Sequence, residues 1–154
     1  MKIFVFDLDF TLWDAGGGWC DTTNPPYAWE NGKLLDSSGD WIRLYDDVTD
    51  ILEELKIRDK IVVAASRTYQ PNWAQDLLHL FDIDKYFDLK EIYPSSKIQH
   101  FKRIQNYFDI PYSEMVFFDD EYRNIHEVGR LGVTSVYVEN GINQALVKPY
   151  CNSN

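Results

Sequence analysis

The chain has 154 residues, 45% of them apolar and 26% charged, a composition that suits one soluble globular domain and excludes a disordered segment. With 15 Lys and Arg against 25 Asp and Glu, the net charge is −10, which repels phosphate backbones and disfavours non-specific nucleic-acid binding. Two cysteines, Cys20 and Cys151, are too few for a disulfide scaffold and read as free thiols, and no apolar run reaches bilayer-spanning length. No export signal follows the short apolar start, so the chain reads as cytoplasmic, with a monomer as the default.

Ile3 to Phe6 is an unbroken apolar run, as expected of a strand buried on both faces of a parallel sheet. The stretch from Trp13 to Ile42 carries Gly16, Gly17, Gly18, Pro25, Pro26, Gly32 and Gly39, the chemistry of a long loop or hairpin excursion. Its aromatic residues divide by expectation: Trp13 and Trp41 pack inward, and Trp19 or Tyr27 faces whatever site lies beside it. Val48, Ile51, Leu52 and Leu55 predict a helix behind Asp46 and Asp47. Ile61 to Ala65 predicts a second buried strand, ending at Ser66. Trp73, Leu77, Leu80 and Phe81 predict a helix, Ile92 and Tyr93 a short strand, and Ile98, Phe101, Ile104 and Phe108 a third helix after Ser96. Met115 to Phe118 predicts a strand stopping at Asp119. A short helix around Ile125 and Val128 then leads to a last strand, Thr134 to Val138. The tail after Tyr150 carries no signal. Alternating strands and helices predict an α/β fold: a three-layer, Rossmann-like parallel sheet with right-handed crossovers, one domain over residues 1–150, and a small insertion at about 14–42.

Acidic and hydroxyl residues follow these strands in a repeated way. Asp7-Leu8-Asp9-Phe10-Thr11 follows the first, Ser66 the second, and Asp119-Asp120 the strand from Met115. In open α/β sheets, ligands bind outside the carboxyl ends of the strands, so these groups would share one rim. One acid after a strand is more often a cap or turn former. Several gathered on one rim repel each other unless a cation lies among them, and oxygen-only donors favour a hard ion such as Mg²⁺. The conjunction carries the argument. His79, His100 and His126 lack partners at metal or catalytic spacing and read as structural or surface residues.

These motifs resemble the haloacid-dehalogenase-like superfamily. The stretches Phe6-Asp7-Leu8-Asp9-Phe10-Thr11-Leu12-Trp13, Ala65-Ser66-Arg67-Thr68, Glu91-Ile92-Tyr93-Pro94-Ser95-Ser96-Lys97 and Phe118-Asp119-Asp120-Glu121-Tyr122-Arg123-Asn124 resemble its magnesium-dependent phosphatase-1 family. The resemblance implies a Mg²⁺-dependent phosphatase acting on phosphotyrosine-like or sugar-phosphate monoesters, on a small molecule or a phosphoprotein, without nucleic acid or membrane. It makes Asp7 the nucleophile and Asp9 the general acid, and it places Asp7, the Asp9 carbonyl and Asp120 on the metal, with Asp119 acting through water or orienting a ligand. Ser66 and Lys97 would hold the transferring phosphoryl group and Arg67 the substrate, with Thr11, Arg123 and Asn124 in support. Two other readings compete: a glyceryl-transfer domain of a related subfamily, and a non-hydrolytic phosphate-binding or signalling module. Asp9 discriminates against the module, because a protein that keeps its phosphate needs no general acid there.

Overall fold

A computed structural model describes residues 1–152. Five strands, β1 (Ile3–Phe6), β6 (Ile61–Ser66), β7 (Leu89–Ile92), β8 (Met115–Asp119) and β9 (Thr134–Tyr137), form one parallel sheet in the order β7-β6-β1-β8-β9. The strand order therefore reverses on either side of β1, the switch point where an α/β sheet opens a crevice. Register fixes what reaches that crevice. Phe6 lies level with Ala64 on one side and Phe118 on the other, so Asp7, Ser66 and Asp119 all emerge on one rim. The Asp7 N–H donates to the Phe118 carbonyl at 3.0 Å, which carries the ladder one residue past the strand.

Strand alternation sorts the apolar residues into two cores. Phe4, Phe6, Val62, Ala64, Val116 and Phe118 face α1 (Val48–Ile57), α2 (Pro71–Leu80) and α5 (Gln144–Cys151). Ile3, Val5, Val63, Ala65, Met115 and Phe117 face α3 (Lys97–Phe108) and α4 (Tyr122–Gly129). The three predicted layers are present. Phe6 stacks on Phe118 at 5.1 Å and Phe101 meets Phe117 edge-on at 5.0 Å, and each such fully buried ring contributes roughly 1.5–3 kcal/mol. Among the described residues no helix is long and apolar enough to cross a membrane.

The excursion after β1 is more ordered than a loop. Strands β2 (Trp13–Ala15), β3 (Ala28–Glu30), β4 (Lys33–Leu35) and β5 (Trp41–Leu44) form an antiparallel sheet in the order β2-β5-β4-β3. Glycine and proline content hid it, because the strands are only three or four residues long. Asp36 closes the β4–β5 connection by accepting from the N–H groups of Ser38 at 3.0 Å and Asp40 at 2.9 Å. Trp13, Leu34 and Ile42 are buried and extend the first core, as expected for Trp13. Trp41 departs from expectation. Strand alternation turns Ile42 inward and leaves Trp41 44% exposed, where Lys33 sits 4.5 Å over its ring.

Helix α5 was not predicted. Pro149 lies inside it and masks the apolar pattern, yet Asn143 caps it by accepting from the Leu146 N–H at 3.1 Å. The last two residues of the uninformative tail, 153 and 154, lie outside the described residues.

Candidate active site

The loop from Asp7 to Trp13 builds the centre of the rim. The N–H groups of Thr11, Leu12 and Trp13 converge on the Leu8 carbonyl at 3.1, 2.8 and 3.3 Å, a tight turn that presents Asp7 and Asp9 to one side. Phe10 takes a left-handed backbone (φ 61°), rare for a bulky residue, and its N–H is tied to the Trp13 carbonyl at 2.7 Å. The Thr11 hydroxyl is buried with no hydrogen-bond partner among the described residues, so backbone bonds hold this turn.

Lys97 is the first residue of α3, after Ser96, whose hydroxyl caps the helix by accepting from the Gln99 N–H at 3.2 Å. It is only 1% exposed. Its ammonium lies 3.1 Å from Asp7 Oδ1 and 3.1 Å from Asp119 Oδ2, and it donates to the Ala65 carbonyl. Burial alone would lower the Lys97 pKa, but Asp7 and Asp119 outweigh it and hold the ammonium above its ordinary value. Asp7 moves well above the usual carboxylate range. Burial is the main cause, Asp119 adds to it, and Lys97 opposes it.

Carboxylate oxygens of Asp7, Asp119 and Asp120 lie within 4.8 Å of one another. Three carboxylates then face one ammonium, and an all-oxygen donor set with surplus negative charge fits a hard divalent cation. The two acids of the pair differ. Asp119 is fully buried and accepts from Lys97, from the Glu121 N–H at 2.8 Å and from Asn124 Nδ2 at 3.1 Å. Asp120 lines the cleft, its carboxylate grouped with that of Asp7. Asp120 is thus the one open to the cleft, and Asp119 is spent on its neighbours.

Asp9 sits beside this cluster with its Oδ1 accepting from Trp13 Nε1 at 2.7 Å and from the Cys20 N–H at 2.9 Å. Burial raises its carboxyl to about 6, against the pull of the Trp13 and Cys20 hydrogen bonds. A carboxyl titrating there holds its proton in mildly acidic solution, as a proton donor requires. Sequence reading took Trp13 only as packing. A buried indole N–H needs an acceptor, and the folded loop supplies Asp9.

The cluster opens into a cleft of about 790 Å³. Ser66, Arg67, Lys97 and Asp120 line it with Asp7 and Asp9, and Trp19 lies on its wall as expected. Tyr27 instead bonds Thr23 through its hydroxyl at 2.6 Å and packs on the first core. Arg67 is fixed by donating to Asn124 Oδ1 at 3.2 Å, whereas Arg123, an exposed residue on the cleft wall, pairs with Glu121 at 3.9 Å. Asp21 and Tyr69, which the sequence did not single out, complete the mouth, the Tyr69 N–H donating to Asp21 at 3.4 Å.

Of the three histidines, His100 supports the site from behind. It lies fully buried one turn after Lys97, and its Nε2 bonds the Tyr93 carbonyl at 3.0 Å, below the Pro94–Ser96 segment. Burial, with Lys97 adding, pushes its imidazole from 6.5 down to about 4. The unfolded chain gains this proton near 6.5 and the native state only near 4. The stability from this group is therefore complete above 6.5 and disappears as pH falls to about 4, a loss of roughly 3 kcal/mol. Urea unfolding between pH 7.5 and 4 should show His100→Phe with a flatter acid-side decline than the parent, on the order of 3 kcal/mol less. Parallel declines would refute the assignment.

A parallel sheet with its order reversing at β1, and carboxylates, a lysine and a serine at that point, define a haloacid-dehalogenase-like phosphatase. The chain belongs to the acid phosphatase family, whose model, described as Acid Phosphatase, matches residues 1–150. It is 46% identical to magnesium-dependent phosphatase 1 of Homo sapiens over 144 residues, covering 92% of this chain and 80% of that one. It is 43% identical over 146 residues to a HAD-like hydrolase superfamily protein of Schizosaccharomyces pombe, covering 86% and 83%. In fold it resembles the crystal structure of the N-terminal part of a Bacteroides fragilis protein containing a phosphatase domain complexed with Mg, with TM-score 0.64 at 19% identity. That match covers 88% of this chain and 35% of the longer one.

Proposed function

We propose that residues 1–150 act as one Mg²⁺-dependent phosphatase domain, working as a monomer on phosphotyrosine-like or sugar-phosphate monoesters of a small molecule or a phosphoprotein. The observation that carries the reading is the convergence of Asp7, Asp119 and Asp120 on one another, with Lys97 pairing to Asp7 and Asp119 and with Asp9 held by Trp13 beside them. The names of the human relative and of the Bacteroides structure support magnesium as the ion.

A carboxylate oxygen of Asp7 attacks phosphorus and the ester P–O bond breaks, leaving an aspartyl-phosphate. The proton of Asp9 goes to the departing oxygen. Water then attacks the same phosphorus as Asp9 takes up its proton, which frees phosphate and restores Asp7. Lys97 and Ser66 hold the phosphoryl oxygens, as a point charge and a hydroxyl donor. Arg67, braced by Asn124, meets the rest of the substrate. Asp7, Asp120 and the Asp9 carbonyl would hold Mg²⁺, with Asp119 orienting the group; the ion offsets charge so that a carboxylate and a phosphate dianion can approach.

The open cleft, bordered by a small sheet, admits a phosphorylated side chain as well as a sugar phosphate. Hydrolysis of para-nitrophenyl phosphate with Mg²⁺, and its loss with chelator, tests the reading. Folded protein with no activity in Mg²⁺, or with full activity after chelation and metal removal, would refute it. A panel of phosphotyrosine peptides and sugar phosphates then separates the substrate classes.

A further inference from the structure

We propose that Trp13 is a positioning residue for Asp9, and that the inserted sheet sets where the Asp9 proton lies. The inference rests on the reading above, in which Asp9 is the general acid. Both donors to Asp9 Oδ1, Trp13 Nε1 at 2.7 Å and Cys20 N–H at 2.9 Å, come from the insertion and not from the main sheet. An oxygen that accepts two N–H bonds has both lone pairs engaged, so the carboxylic proton belongs on Oδ2. The two bonds therefore do two things at once. They choose one rotamer of a side chain in a tight loop, and they choose which oxygen carries the proton.

The donors are themselves fixed. Trp13 is fully buried, pairs with Leu44 of β5, and lies against Phe81 with ring centroids 6.1 Å apart. Cys20 is buried, and its thiol sits 3.3 Å from the Thr68 hydroxyl, two residues beyond Ser66. The insertion thus bridges the nucleophile loop and the loop after β6, with Asp9 held between them. Trp13 touches no reacting atom. It acts only through Asp9, so its effect should scale with how much the leaving oxygen needs a proton.

The test compares kcat/KM for para-nitrophenyl phosphate, whose leaving oxygen needs little protonation, with that for phenyl phosphate, whose oxygen needs more. Two replacements are made: Trp13→Phe, and Trp13→benzothienylalanine, which keeps the indole shape while sulfur takes the place of N–H. The expected result is a loss of about 10-fold or more on phenyl phosphate and less than about 3-fold on para-nitrophenyl phosphate. If Trp13→Phe does not fold, the isosteric replacement carries the comparison. Equal losses on the two esters, or none, would overturn the inference and leave Trp13 a packing residue. Asp9→Asn runs in parallel and should show the same selectivity more strongly. If Asp9→Asn lacks it, the general-acid reading itself fails; if Asp9→Asn has it and both Trp13 variants lack it, only the positioning role fails.

Discussion

Asp7→Asn is expected to leave a folded protein that neither hydrolyses para-nitrophenyl phosphate nor accumulates a phosphoenzyme, a loss on the order of 10⁴-fold or more. The amide matches the carboxylate in size but has no oxygen nucleophilic enough to attack phosphorus. The fold should tolerate the change, and the metal-free protein should gain from it. Asp7 is pressed by burial and by Asp119 into a range where its charge is disfavoured, and a neutral amide relieves that pressure. The melting temperature without metal should therefore stay level or rise, while the increment produced by adding Mg²⁺ shrinks because one ligand has been lost. Retained turnover, or radiolabel transferred from substrate to the variant, would remove Asp7 as the nucleophile.

Lys97→Met should be costly in two separate measurements. Removing a buried ammonium leaves Asp7 and Asp119, two largely buried carboxylates, without their shared cation, and breaking such a pair costs about 3–5 kcal/mol. Urea unfolding in excess chelator reads that loss, and added Mg²⁺ should recover part of it. The rate constant in saturating Mg²⁺ should fall by about 10²–10³-fold, the usual effect of removing one fixed donor from a charged transition state. Lys97→Arg should not rescue it. The Lys97 ammonium is buried and meets three separate acceptors, a geometry that suits a compact cation and that a planar fork does not fit. A variant of parental stability and rate would mean that Lys97 is an ordinary helix-start lysine.

How much of this was legible in sequence depends on how local the cause is. The three central strands β1, β6 and β8 were readable because each is a short apolar run ending at a polar residue, a pattern that two-sided burial imposes, whereas the outer strands β7 and β9 mix polar with apolar residues. Asp7, Ser66 and Asp119 were readable as neighbours because parallel register puts strand ends on one rim. The insertion was not, since its strands are short and its pairing is decided by turns at Gly32 and Gly39 and by contact with the main body. Trp13 shows the limit most clearly. Its burial was expected, but its bond to Asp9 depends on the loop folding back, which no residue pattern reports. The division of labour between Asp119 and Asp120 is likewise a tertiary matter, settled by Asn124 and Glu121 approaching from α4 and the turn before it.

Asp119 lies in the middle of a longer chain of contacts. Arg67 bonds Asn124, Asn124 bonds Asp119, Asp119 pairs with Lys97, and Lys97 pairs with Asp7. Five side chains from five separate segments thus form one unbroken line from the cleft wall to the Asp7 carboxylate. Asn124 meets no reacting atom, yet it is the hinge pin of that line: one change there strips Arg67 of its acceptor and Asp119 of a donor together. With Arg67 meeting the substrate and Asp7 attacking, as proposed above, substrate grip and nucleophile alignment would be a single mechanical part, and neither could be retuned alone.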